Sequence, residues 1–367
     1  MKQDIRIARV FGIEISLHWT FFLLPAWLIF SNVSSKSATE ILSLLALVFL
    51  LFTCVILHEL GHALTARRFG IKTKSIRLYP IGGVASLEKI PEKPVQELLV
   101  SLAGPAVNLV IAGILFPVFY FSGGSVEDIS VALAGPVNLL PALLIMNLSL
   151  AIFNLVPAFP MDGGRVFRAL LSMMMSRDKA TRVAMRVGQV IAVLFIFIGF
   201  SYNMMLVVIG AFIFIAGQSE AVFVHAKAVL GGFHASDAVM KNFHSIEASM
   251  LVDDAVRMLL NGQGSDILVT ENGRFTGSLS RDSIIRALSD RGAAVPVSSV
   301  MERELKTIQH DTALDRVYEE LMLHKQAVYP VLKNGELLGV IDAENILEFM
   351  MVQDALAHRL PKHNYQH

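Results

Sequence analysis

The chain reads as a polytopic α-helical membrane protein of about six transmembrane helices followed by a soluble α/β module. Of its 367 residues 54% are hydrophobic and 17% charged, with a mean hydropathy of +0.58, too apolar for an ordinary soluble protein. Nearly all the long apolar runs lie in residues 1–220, whereas residues 235–355 are charge-rich and repeat internally. The expected organisation is a membrane unit over 1–220, a linker over 221–234, and two copies of a small domain over 235–290 and 296–355.

Six spans follow from requiring about 17 to 25 mainly apolar residues each: 15–32, 41–66, 97–121, 131–156, 184–200 and 203–219. The first is expected to be a retained helix and not a signal peptide, because it carries Trp19, Phe21, Phe22 and Trp27 and lacks a small-residue cleavage site. Basic residues orient the set. Lys2, Arg6 and Arg9 precede the first span, Arg67, Arg68, Lys72, Lys74 and Arg77 follow the second, and Arg165, Arg168, Arg177, Lys179, Arg182 and Arg186 follow the fourth. The intervening loops 33–40 and 122–130 hold a single lysine, so the expectation is a multi-pass protein of the cell membrane with both termini in the cytosol. Net charge is zero and no long basic stretch occurs, which argues against a nucleic-acid partner and leaves the lipid bilayer as the surrounding phase.

The pentad His58-Glu59-Leu60-Gly61-His62 stands inside the second run, where hydrocarbon should exclude three ionisable side chains. Four residues apart on a helix, His58 and His62 share a face and can grip one metal ion, with Glu59 beside them as a base. A tetrahedral zinc ion needs a third protein donor. Asp162 is the best candidate, because Asn154-Leu-Val-Pro157-Ala-Phe-Pro160-Met-Asp162-Gly163-Gly164 breaks the helix continuing from span four and offers a carboxylate at membrane depth. The other reading of Asp162 is a cap on the helix starting near Gly163. Cys54, alone in the chain, reads as a packing residue. Asn108, in Gly104-Pro105-Ala-Val-Asn108, reads as an interhelical hydrogen-bonding residue.

On the pentad and the Asn154–Gly163 segment, residues 10–220 resemble the site-2 protease family of intramembrane zinc metalloproteases. The resemblance implies one zinc ion held by His58, His62 and Asp162, with Glu59 as general base, while Asn154, an uncharged amide in an apolar span within the Asp162 motif, reads as a substrate contact. It also implies that Pro80-Ile-Gly82-Gly83-Val-Ala-Ser-Leu87 dips into the membrane beside the metal, where Gly82 and Gly83 would offer an unwound substrate a strand edge. A plain surface turn at Gly82-Gly83 is the other reading. The expected substrates are membrane proteins with a single transmembrane segment weakened near the inner leaflet.

In the soluble part, Asp237-Ala-Val239-Met240 recurs as Ser299-Val300-Met301, Asn272-Gly273 as Asn334-Gly335, Gly277 as Gly339 and Ile284 as Ile346, at an offset of 61–62 residues. Each copy reads helix, strand, turn, strand, helix, and resembles a tandem pair of CBS domains. Such pairs commonly bind adenine nucleotides. The family's ribose-binding aspartate falls here at Ser283 and Asn345, which leaves Asp282 as a substitute. A ligand-free module that pairs two chains into a homodimer is the other reading. A regulated intramembrane endopeptidase is thus the leading expectation, and a CBS-gated channel or transporter the alternative.

Overall fold

A computed structural model describes residues 4–80, 82–87, 91, 93–125, 138–261, 266–303, 305–323, 326 and 328–359. The chain divides into two compact units, Met1–Val222 and Phe223–His367.

The first unit opens on a strand pair, β1 (Asp4–Val10) and β2 (Ile13–His18), closed by a two-residue turn in which Phe11 and Gly12 take φ of 52° and 86°. Two positive-φ residues match the twist of a tight hairpin. The first span was expected to be helical from residue 15, and here the structure corrects it: Ile13, Ile15 and Leu17 alternate with Glu14, Ser16 and His18, and this period of two wins. Helix follows only from a 3-10 turn at Trp19–Phe22 into α1 (Leu23–Asn32).

Helix α2 (Ala38–Arg68) is capped by Ser37, whose hydroxyl accepts from the Glu40 amide while Glu40 accepts from the Ser37 amide. Strands β3 (Thr73–Tyr79) and β4 (Gly82–Leu87) then complete a four-stranded sheet in the order β1-β2-β3-β4, with β2 and β3 parallel and β4 on the edge. Ile13 and Ile76 pack on Leu60 and Ala63 of α2, and Phe21 and Leu78 on Phe52, so the sheet rests on the helix that carries the pentad. Helices α3 (Pro94–Phe121), α4 (Leu139–Asn154), α5 (Asp162–Ser172), α6 (Arg177–Tyr202) and α7 (Met204–Leu230) follow.

Among the described residues four helices, α2, α3, α6 and α7, are long and apolar enough to cross a membrane, and Trp19–Asn32 and α4 are shorter apolar helices. The expected start of span four at residue 131 lies outside the described residues. Side chains such as Ile114, Phe121, Phe197 and Ile215 project from these helices at 63–84% exposure, a surface that suits hydrocarbon and not water.

The second unit repeats one motif. Strands β5 (Ser245–Glu247), β6 (Asp266–Glu271) and β7 (Arg274–Ser280) form one sheet, and β8 (Ile308–Gln309), β9 (Val328–Lys333) and β10 (Glu336–Asp342) the other. Both hairpins turn on Asn-Gly, Asn272-Gly273 and Asn334-Gly335, all four residues at positive φ. Helices α8 (Ala235–Ala238), α9 (Val252–Leu260), α10 (Arg281–Arg291), α11 (Leu314–Leu323) and α12 (Ala343–Arg359) accompany them. The copies exchange edges: Met240, leading the first, pairs with Val340 on β10, and Glu302, leading the second, pairs with Ser278 on β7. The repeated glycines explain themselves there, since a Cβ on Gly277 would stand 2.5 Å from the Glu302 carbonyl and one on Gly339 2.2 Å from that of Met240. Ala226 and Leu230, at the end of α7, are buried in the core of the second copy.

Candidate metal centre

His58 and His62 stand one turn apart on α2 and Asp162 opens α5, and the three side chains are buried together. Their donor atoms form a triangle: His58 Nε2 to His62 Nε2 is 3.1 Å, and Asp162 Oδ2 lies 3.2 Å from the first and 3.0 Å from the second. Asp162 is the first residue of α5, one position after the cap residue Met161, and its Oδ2 faces the two histidines.

The other ring nitrogens fix the tautomers. His58 Nδ1 meets Asn108 Oδ1 at 2.5 Å, and His62 Nδ1 meets the Val100 carbonyl at 2.7 Å. Both partners are acceptors, so each Nδ1 carries a hydrogen, and in the neutral ring each Nε2 then turns a lone pair toward Asp162. Three lone-pair donors aimed at one another in a buried space repel unless a cation lies between them. Ligands about 2.0–2.1 Å from a tetrahedral zinc are about 3.3 Å apart, close to the separations seen, so the donor set fits that ion.

Helix α3 organises the rest. Glu97, Val100, Gly104 and Asn108 recur at helical spacing along one buried face. A Cβ on Gly104 would lie 2.2 Å from His62 Nε2 and 2.6 Å from His58 Nε2, so glycine there leaves the space in which the donors meet. Gly61 of the pentad serves the same approach, since a Cβ on it would stand 2.8 Å from the Ala103 carbonyl. Asn108 passes its amide hydrogen to Asn147 Oδ1 at 2.9 Å, and Asn147 donates to the Leu143 carbonyl and to Cys54 Sγ. This support for His58 was not read from the sequence beyond the interhelical bonding of Asn108; the signal was an amide in an apolar span beside a Gly-Pro step.

Glu59 is half-buried and lies against β4, its Cγ 3.0 Å from where a Cβ on Gly83 would stand. Gly82, at φ +141°, begins β4. Asn154 ends α4, and its amide donates to the Leu150 carbonyl of the same helix. In the second unit Asp282 is exposed, while Ser283 is buried and bonded to Ser280. Ser283 lines a cleft of about 320 Å³ with Arg286, Asp290, Arg291 and Glu302, and Asp282 does not.

Comparison with known proteins agrees with this geometry. Residues 46–198 match the model of peptidase family M50, and residues 235–290 and 297–352 each match a CBS domain. The zinc metalloprotease MJ0392 of Methanocaldococcus jannaschii is 31% identical over 353 residues, 96% of this chain and 97% of that protein. Stage IV sporulation protein FB of Bacillus subtilis is 30% identical over 137 residues, 37% of this chain and 44% of that protein. A solved structure, the site-2 protease from Methanocaldococcus jannaschii, is 36% identical, covers 59% of this chain and 95% of its own, and superposes with a TM-score of 0.44. An identity sustained over almost the full length of both proteins leaves one assignment: the chain belongs to peptidase family M50, the site-2 protease family of intramembrane zinc metalloproteases, and carries a tandem CBS pair.

Proposed function

We propose that the protein is an endopeptidase that hydrolyses peptide bonds in or near transmembrane segments of membrane-protein substrates, with activity modulated by its CBS pair. The observation that carries this reading is the convergence of His58 Nε2, His62 Nε2 and Asp162 Oδ2 within 3.2 Å, on helices packed among others apolar enough to cross a membrane. These three residues would hold zinc, which supplies a Lewis acid and brings a water into the ionisable range near pH 7. Glu59 takes the proton of the attacking water as its oxygen bonds the scissile carbonyl carbon. It then returns that proton to the nitrogen as the carbon–nitrogen bond breaks.

Strand β4 supports the substrate assignment. It is one of the two edge strands of its sheet and its Gly83 backbone runs beside Glu59, so an unwound segment pairing with that edge would bring peptide bonds to the site and satisfy its own backbone groups. Helix-weakened single-span proteins are the substrates this suits. Asn154, which donates one amide hydrogen to the Leu150 carbonyl, has its other N–H and its oxygen to offer them. The basic clusters favour both termini in the cytosol, which puts the CBS pair there. Arg286 and Arg291 in the 320 Å³ cleft suit the phosphates of an adenine nucleotide. Exposed Ile285, Leu288, Leu347 and Met351 on α10 and α12 suit pairing of two chains into a homodimer. The channel or transporter alternative is displaced by the family assignment.

Zinc content per chain in detergent-purified protein tests the reading. Wild type and Glu59→Gln should hold close to one zinc, the second without cleaving, while His58→Ala and Asp162→Ala should lose it. Zinc retained in the last two, or absent throughout from folded protein, would overturn the assignment.

A further inference from the structure

The three donors come from two helices, α2 and α5, and α3 packs against both. The face of α3 that serves the histidines, through the Val100 carbonyl and Asn108, carries Glu97 one turn before Val100. Glu97 is 2% exposed and receives two hydrogen bonds from Arg168 of α5, Nε at 2.9 Å and Nη2 at 2.5 Å, both to Oε1. Arg168 is fully buried, and its remaining terminal nitrogen, Nη1, donates to Glu220 of α7 at 2.6 Å. Its guanidinium also lies 5.0 Å from the ring centroid of Phe159, in the loop immediately ahead of Asp162. Arg177 adds a bond to the same Glu97 oxygen at 3.3 Å and another to the Pro91 carbonyl at 2.7 Å.

A fully buried guanidinium between two carboxylates is expensive to desolvate and earns its place by fixing a register. Here the register is that of α5, the helix that presents Asp162, against the α3 face that orients His58 and His62. Nonpolar packing alone would let α5 slide by fractions of an ångström. A planar group forked onto Glu97, held on its far side by Glu220 and laid on Phe159 sets both the helix and the loop before it.

We infer that Arg168 is a positioning residue for Asp162: through Glu97, Glu220 and Phe159 it holds the third metal donor in register with the two histidines, and so sets the affinity and geometry of the metal site. This rests on the zinc reading above. Residues that support metal ligands from behind typically change affinity by about 10- to 100-fold when altered.

The test uses full-length protein in detergent, with zinc affinity read by chelator competition and coordination geometry by the visible absorption of the cobalt(II)-substituted protein. Arg168→Lys keeps the charge but cannot fork onto Glu97 while reaching Glu220, and should weaken zinc at least about tenfold and shift the cobalt bands. Glu220→Gln removes only the outer, partly exposed partner and should weaken zinc measurably but by less than the roughly 10-fold lower end for such supporting residues. Asp178→Asn, which breaks the 2.5 Å surface ion pair with Arg182 on α6, serves as the control and should match wild type. If Arg168→Lys does not fold, Glu220→Gln alone decides. Wild-type affinity and spectrum in whichever of the two folds would overturn the inference. Zinc absent from wild type, or retained in His58→Ala, would instead remove the metal reading beneath it.

Discussion

A buried imidazole can turn either nitrogen toward a metal, and what decides is the group behind it. For His58 that group is Asn108, itself fixed because Asn147 takes its amide hydrogen. Replacing Asn108 with leucine leaves a buried N–H without an acceptor and frees the ring to rotate. Zinc affinity, measured by chelator competition, should fall about 10- to 100-fold while the protein stays folded. Gly104 predicts a different effect. A methyl group there enters the space between the two Nε2 atoms, so Gly104→Ala should abolish zinc binding. Alanine is the better helix former by about 1 kcal/mol, so circular dichroism should show no loss of helix beside the loss of metal. Neither residue could be assigned this role from the sequence, because Asn108 lies 50 positions from His58 and only the packing of α3 on α2 joins them.

At the scale of elements, the pentad and the Pro-rich break before Asp162 were legible because each contradicts its surroundings, polar groups in an apolar run and prolines in a helix. The sheet was not. Its strands are short, two lie beside apolar runs that read as helix by length, and the parallel β2–β3 pairing joins segments separated by two helices. Ile13 and Ile15 show the general difficulty, since a window long enough to find a span averages away a period of two. The sheet bears on function through β4. With Gly83 packed on Glu59, Gly83→Val should push the carboxylate aside. We expect zinc content to remain near wild type while cleavage of a membrane-protein substrate falls by more than about tenfold, measured as initial rates in detergent or proteoliposomes.

For the whole molecule, the chemistry to test is whether the CBS pair couples a nucleotide to cleavage. Ser283 replaces the aspartate that the family resemblance places on a ribose, yet the cleft beside it keeps two arginines. If nucleotide is the signal, initial cleavage rates with and without ATP should differ at least about twofold, and Arg286→Ala should remove the difference. Equal rates would leave the pair as a docking module. The tandem repeat itself was plain in the sequence from its Asn-Gly turns and matched glycines, but not the way its halves interlock, which depends on pairing Met240 with Val340 and Ser278 with Glu302. That exchange has a genetic consequence. A stop codon falling between Gly292 and Glu302 would not trim the chain to a working single copy. It would delete the second sheet whole, leaving Met240 without Val340 and Ser278 on β7 without Glu302, so such alleles should behave as if the entire CBS pair had been deleted.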